Sequence, residues 1–502
     1  MKFLKLLTTV ILFIFISIYI LLFTSFGNSL LKPIAESEIS KILQTNILFK
    51  NFSLNPNRVD VKLISQDGSI VKIDGKIDLF AQSLDLLYSI KINNLSIIEN
   101  LIDKKLKGSF ETEGLIKGDR YLININGKSD IANSDTSYNI ELKNLEPQLL
   151  KLSAKHLEID RLLYILNQPI YANGVADIKA DITGFDFDNL DGKITAKVKN
   201  STLNPEPIKS RFKILIPSDI KVKAEVESKL KGTKVVSSLS LTSSINKILS
   251  KNIIYDLKRE SLKADYKIEI PDLDKLYFLT KKHLRGGITV TGNIEIAEDF
   301  IQTTAHANTL GGVVNLLLKN YDVNIDIKNI QTIALTDMLL YPHIFDSRAN
   351  VKINYNLSTK KGTLNLDSFN GEFLPNEMSF LIKKYTNFDI TKEIYEHTIL
   401  QSKIDNKLLN SNLHMKSKFT EISSKNAIID LENETINTKI DIKIKDYIIP
   451  IYLEGKLQKP FVKLEADKLI KKRVIKEIEN RLPEKIKESP LKDLIKSLFN
   501  RF

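Results

Sequence analysis

The sequence predicts a mainly β fold with helices: an N-terminal transmembrane helix, a long twisted antiparallel sheet forming a repeated β-groove, and C-terminal amphipathic helices. Three observations predict it. Residues Leu6 to Phe26 carry no charge and follow Lys2 and Lys5. Beyond them the chain alternates apolar and polar residues over long distances, as in Val323-Asn324-Ile325-Asp326-Ile327-Lys328, the period of a half-buried strand. Gly, Asn and Asp punctuate these runs closely, as at Asp67-Gly68, Asp74-Gly75, Asn126-Gly127 and Asp191-Gly192, and are read as hairpin turns that make the sheet a meander.

The first run, about 20 residues at about 1.5 Å per helical residue, matches a hydrocarbon core of roughly 30 Å. A cleavable signal peptide is the alternative, but its apolar region is usually about 7–15 residues long, and Ser25-Phe26-Gly27 is a poor cleavage site. The expectation is therefore an uncleaved signal anchor over 1–27. No charge follows the run until Lys32, so the two leading lysines keep the N-terminus cytoplasmic. The bulk of the chain then lies across the membrane.

Residues 28–58 read as a linker with a short amphipathic helix, Pro33 to Leu48, where Ile34, Ile39, Ile42 and Leu43 share a face. The region 59–458 reads as the repeated sheet. Its strand-like runs are Val59 to Leu63, Ile70 to Leu79, Tyr121 to Asn126, Ala176 to Thr183, Ile194 to Val198, Val222 to Leu230, Ile288 to Ile296, Val351 to Leu357 and Ile436 to Ile444. A short helical phrase leading into a strand recurs from Ile92, Leu157, Ile270 and Ile330, with a glycine at the first three junctions. The uneven intervals exclude a strict solenoid period, yet one unit built several times is the expectation. Over 459–502, Leu469, Ile470, Val474, Ile475, Ile478 and Leu482 recur at helical spacing before Pro483, which predicts an amphipathic tail. That tail would meet anionic headgroups, the last edge of the sheet, or an outer-membrane or periplasmic protein.

Sheets of many strands coil rather than stay flat. If their apolar sides line the coil, the candidate lining is Ala176, Ile178, Ala180 and Ile182; Ile194, Ala196 and Val198; Val222, Ala224 and Val226; Val323, Ile325 and Ile327; and Ile440, Ile442 and Ile444. Closed sandwiches need the same alternation, so a dry core remains the rival at each position.

The closing pattern Gly455-x-Leu457-x-x-Pro460-x-Val462-x-Leu464, the helix–glycine–strand phrases, and Asn173-Gly174-Val175-Ala176-Asp177-Ile178 running on to Leu190-Asp191-Gly192-Lys193-Ile194 resemble the AsmA-like family, the relatives of TamB. The resemblance covers most of the chain in style and is specific over these short segments. It implies an inner-membrane, single-pass periplasmic protein of a Gram-negative envelope. Its β-grooves would guide phospholipid between membranes for outer-membrane lipid homeostasis, or support outer-membrane protein assembly. The family supplies no catalytic residues and no cofactor.

Other chemistry finds little footing. The chain has no cysteine, which excludes thiolate metal sites and cysteine nucleophiles. The net charge of +12 is scattered along strands among acids, a pattern of solvated faces rather than a nucleic-acid stripe, and no nucleic-acid partner is expected. His156, His283, His306, His343, His397 and His414 are too dispersed for metal ligation. Asp186-x-Asp188-x-x-Asp191-Gly192 departs from a calcium loop in the position of its third acid and in lacking the closing glutamate, so it reads as a turn. No nucleophile elbow or phosphate-binding glycine loop is present. An envelope hydrolase with a dispersed carboxylate pair is the least favoured reading.

Overall fold

The computed structural model describes residues 22–445 and 447–464, together with Ser17 and Ile20. Most of the expected anchor over 1–27 and all of the expected helical tail beyond Leu464 fall outside the described residues, while the first six residues of that tail, 459–464, form a strand and not a helix. Among the described residues no helix is long and apolar enough to cross a membrane.

The described residues form 26 antiparallel strands, β1 to β26 in chain order, with a few short helices. The chain divides into two compact units, Met1–Ile268 and Glu269–Phe502. The first unit opens with α1 (Ser25–Leu43), capped by Thr24, whose hydroxyl accepts from the Gly27 N–H at 3.2 Å. The helix passes through Pro33 and ends at Gln44 in the left-handed region. Proline at a first helical turn is favourable, which is why the sequence pattern starts this helix eight residues late. The strands also begin earlier than Val59. β1 (Ile47–Asn55) precedes β2 (Arg58–Ser65), and a register shift between Phe49 and Asn51 hides its alternation. At the other end β26 (Lys459–Leu464) belongs to the sheet, with Pro460 paired to Gly455. As the last described strand it tolerates a residue that cannot donate a ladder bond.

Each expected strand run forms a strand, and pairing runs between chain neighbours as a meander requires. The expected turns fare differently. Asp67-Gly68 is a turn, but Gly75 and Gly127 lie inside strands and Asp191-Gly192 opens one. Gly127 sits between the paired residues Gly114 and Tyr138. Tyr88 and Tyr138 cross over these two glycines, and the two phenol oxygens meet at 2.7 Å. These strand glycines leave room for rings; they are not chain reversals.

The helical phrases arrange themselves in pairs. The ten strands from β4 (Ser83–Ile92) to β13 (Lys247–Asp256) follow the same plan as the ten from β14 (Ser261–Ile270) to β23 (Thr420–Asp430). In the first copy the helical turns Leu95–Ile98 and Glu99–Ile102 follow β4; in the second, Leu273–Leu276 and Tyr277–Thr280 follow β14. The Leu95 N–H donates to the Gly108 carbonyl at 2.8 Å, and the Leu273 N–H donates to the Gly286 carbonyl at 2.8 Å. Both glycines have positive φ, +81° and +92°, as this loop closure requires. Lys107 donates its N–H to Ile165 at the end of α2 (Ile159–Ile165), and Arg285 donates its N–H to Met338 at the end of α4 (Thr332–Met338). α3 (Pro205–Phe212) corresponds in the same way to α5 (Glu377–Thr386). Left-handed residues Asp103, Asn167, Asn200 and Lys213 match Lys281, Leu340, Asn370 and Asn387. The sequence-level reading of four copies of one unit is thus replaced by two copies of a double unit, which accounts for the uneven intervals.

Candidate functional site

In the first unit the period-two pattern sorts side chains onto two chemically opposite faces. β9 (Ala172–Thr183), β10 (Asp191–Leu203), β11 (Lys221–Lys231), β12 (Lys234–Ser243) and β13 pair so that Ala176, Val198, Ala224, Leu241 and Ile248 form one row across the sheet. Ile178, Ala196, Val226, Leu239 and Ser250 form the next. Ala180 pairs with Ile194, and Ile182 with Gly192, on the same side. The opposite side carries ion pairs: Lys193–Glu227 at 2.7 Å, Lys197–Glu225 at 2.5 Å and Lys199–Asp177 at 2.5 Å. The ammonium of Lys199, helped by the His156 N–H, holds the Asp177 carboxyl below its ordinary range. One side of these strands is therefore solvated and the other apolar.

What covers the apolar side decides its use. Ala176 is buried, and Ile178 packs on a cluster of Ile92, Leu95, Ala154, Leu157 and Ile165 beneath the helical segments. Ala180, Ile182, Ile194, Ala196, Val198, Val222, Ala224 and Val226 are only half-buried. α3, the nearest following helix in sequence, buries none of its residues, and Phe212 on it is exposed. A contiguous apolar surface left half in water is the kind of surface that takes a ligand or partner. A polar cluster lies on earlier strands of the same unit: Tyr138 Oη is 2.5 Å from Thr112 Oγ1, which donates to the Lys128 carbonyl at 2.8 Å. Burial, first, and the neighbouring Tyr138 push the Tyr88 phenol pKa upward.

The second unit starts similarly. In β18 (Asp322–Gln331), Val323, Ile325 and Ile327 are half-buried and pair with Tyr355, Ile353 and Val351 of β19 (Phe345–Asn356). Then the face closes. α5 lays Met378 and Ile382 on it, with Ile390, Tyr395, Ile422, Ile449 and Ile451 filling the core. Within β24 (Thr435–Ile444), Ile442 is 0% exposed, and Ile440 and Ile444 are also buried. Ile442 and Ile444 thus belong to a packed core instead of an open lining, whereas Ile440, part of the same cluster, also lines a cleft beside α5. Their alternation is that of an open face; only a helix from another part of the chain, itself ambiguous in sequence, decides between the two.

Between α5, β26 and the sheet lies a cleft of about 430 Å³, walled by Phe345, Leu366, Phe373, Met378, Leu400, Leu413, Met415 and Val462. Exposed Glu377 and Lys459 border it. Two hydroxyls, Ser368 Oγ on β20 (Lys361–Phe373) and Thr398 Oγ1 on β21 (Tyr395–Asp405), line it without a hydrogen-bond partner. Neither residue stood among the sequence candidates. The available signal was a hydroxyl residue at an inward position of an alternating run, Leu364-x-Leu366-x-Ser368 and Thr398-x-Leu400.

Among the described residues no three His, Asp or Glu side chains gather as a metal site. His283 pairs with Asp274 at 2.7 Å, His306 with Asn315 at 2.8 Å, and His397 stacks on Phe369 at 5.1 Å between centroids. The Asp186 loop is a turn in which Asn189 and Leu190 donate N–H groups to the Asp186 carbonyl. No family model, curated protein or solved structure matches the chain.

Proposed function

We propose that the protein is a membrane-anchored, exported carrier of phospholipid between envelope membranes, of the AsmA-like kind, with no catalytic role. The observation that carries this reading is the half-buried apolar face of β9 to β13, backed by a face of ion pairs. Acyl chains gain about 0.8 kcal/mol for each CH₂ taken out of water. A row of Ile, Val, Leu and Ala therefore holds a tail without polar aid, while the headgroup stays in water. Lateral passage from strand to strand then meets no strongly bound state. The anchor would fix the carrier to the inner membrane by its uncharged N-terminal run, with the sheet on the periplasmic side.

The test places photoreactive residues at Ile182 and Ile325 in living cells. Phospholipid captured at both positions, together with slowed lipid exchange when Val226→Asp replaces the wild type, is the expected result. Capture of unfolded outer-membrane protein without phospholipid, with lipid exchange unchanged, would overturn the reading in favour of an assembly scaffold.

A further inference from the structure

We propose that the cleft under α5 is a specific binding site for one acyl-ester chain of a zwitterionic lipid, held through its ester carbonyl by Ser368 and Thr398. The inference takes its ligand class from the lipid reading above, but its geometry stands apart from the open face.

The repeat makes the case. Ser368 and Thr398 are cross-strand partners in the row Ala349, Ser368, Thr398, Met415, Ile422. The corresponding row of the first copy is Ala176, Val198, Ala224, Leu241, Ile248. The flanking positions keep their character, and the two central ones exchange aliphatic side chains for hydroxyls. On the same strands one hydroxyl pair is kept in both copies: Ser228 and Ser237 share a hydrogen bond of 2.7 Å, and so do their counterparts Ser402 and Ser411.

Ser368 is 1% exposed and Thr398 5% exposed, and both hydroxyls lack partners. The other buried pairs in this unit are satisfied, Ser424 with Thr438 at 2.6 Å and Thr420 with Tyr395 at 2.9 Å. A buried hydroxyl without a partner is costly, and native proteins keep few of them. Here two sit side by side on the wall of a cleft whose volume falls within the about 300–1,000 Å³ of small-molecule sites.

The surroundings select the ligand. Walls of Leu, Phe, Met and Val fit a hydrocarbon chain. No charged side chain reaches the hydroxyls by hydrogen bond or ion pair, so the polar atom they receive must be neutral, as a carbonyl oxygen is and a carboxylate is not. At the rim Glu377 and Lys459 offer one charge of each sign, which suits a zwitterionic head. Both hydroxyls can donate to one carbonyl, the two lone pairs of which accept two bonds.

The test uses the full chain in nanodiscs of ether-linked lipid, so that the probe is the sole acyl ester present. The probe is lysophosphatidylcholine with a photoreactive group on its acyl chain, compared with its alkyl-ether counterpart. Irradiation is expected to label residues 408–430. Leu413→Trp, which fills the cleft, should cut that label at least fivefold. The double variant Ser368→Ala with Thr398→Val should cut ester labelling at least threefold and leave ether labelling unchanged. Removing unpartnered hydroxyls does not endanger folding, so this second comparison decides even where Leu413→Trp fails to fold. Equal loss for ester and ether, absence of label at 408–430 in the wild type, or crosslinks from residues 465–502 into the cleft would each overturn the proposal. Label in the cleft with none at Ile182 or Ile325 would instead sink the transport reading and spare this one.

Discussion

The two copies of the repeated unit share strand order, loop locks and left-handed corners, yet they end in different states. In the first, α3 buries nothing and the sheet face behind it stays half in water. In the second, α5 buries Met378, Ser379 and Ile382, and the same face becomes a core. The helices differ in their anchorage. Asn376 and Ser379 form a reciprocal cap on α5, with 3.0 Å and 2.9 Å bonds, whereas Asn204 makes no side-chain cap on α3. Lys383 on α5 is also tied to Asp389 at 2.8 Å, at the start of the turn that delivers Ile390 to the core. One backbone plan thus yields either an accessible surface or a packed interior, and the two differ in whether the helix after the second strand of the pair is capped and pinned.

The largest expected difference comes from placing one charge in each copy. Ile442→Asp buries a carboxylate among Ile422, Ile440 and Ile449 with no counter-charge, at a cost of several kcal/mol. Ile182→Asp leaves its carboxylate half in water and should fold. Hydrogen exchange read over 395–451 and over 172–231 checks this: the first variant loses protection in the first window, and the second keeps it in both. Equal unfolding by both would show that the face in the first copy is a core as well.

Gly127→Ala comes next. A Cβ there collides with the Tyr88 hydroxyl and lies 2.6 Å from the Tyr138 ring, so the two-tyrosine bridge must open. Overpacking of this kind costs about 1–3 kcal/mol. The near-ultraviolet signal of the tyrosines should change while exchange over 395–451 stays as in the wild type. A smaller loss, about 1 kcal/mol, is expected of Asn376→Ala through its cap. It should appear as faster exchange of α5, with the first copy unaffected; slowing or no change would remove the cap from the explanation.

Much of this architecture was legible in the sequence, because a sheet face needs only local alternation. Ala176 to Ile182, Val222 to Val226 and Val323 to Ile327 do share the apolar side that their spacing implies. Three things were not legible. Burial of Ile440, Ile442 and Ile444 depends on α5, whose residues lie far back in the chain. Gly75 and Gly127 look like turn glycines because what needs their space comes from other strands, the backbone at Asp85 and Leu86 for Gly75 and the rings of Tyr88 and Tyr138 for Gly127. Ser368 and Thr398 carry no motif; their meaning depends on a cross-strand register and on the absence of partners, neither of which a linear pattern contains.

The smallest effect expected is a pH dependence confined to the pinned helix. The Lys383 ammonium, with Thr391, brings the Asp389 carboxyl down to about 2. An unfolded aspartate titrates near about 3.9. Because the folded value is the lower one, the pair stabilises the native state above about pH 4, and the contribution disappears as pH falls through about 2. Protection of the α5 amides, relative to their intrinsic exchange rate at each pH, should therefore fall over that window in the wild type, whereas Asp389→Asn should start less protected at pH 6 and change less on acidification. The first copy supplies the internal reference: a helix that is not held down has little to lose, so α3 should show no matching transition between pH 4 and 2. If α3 and α5 lost protection together, the closed state of the second copy would owe nothing to this ion pair, and core packing alone would have to explain why one face is covered and the other is not.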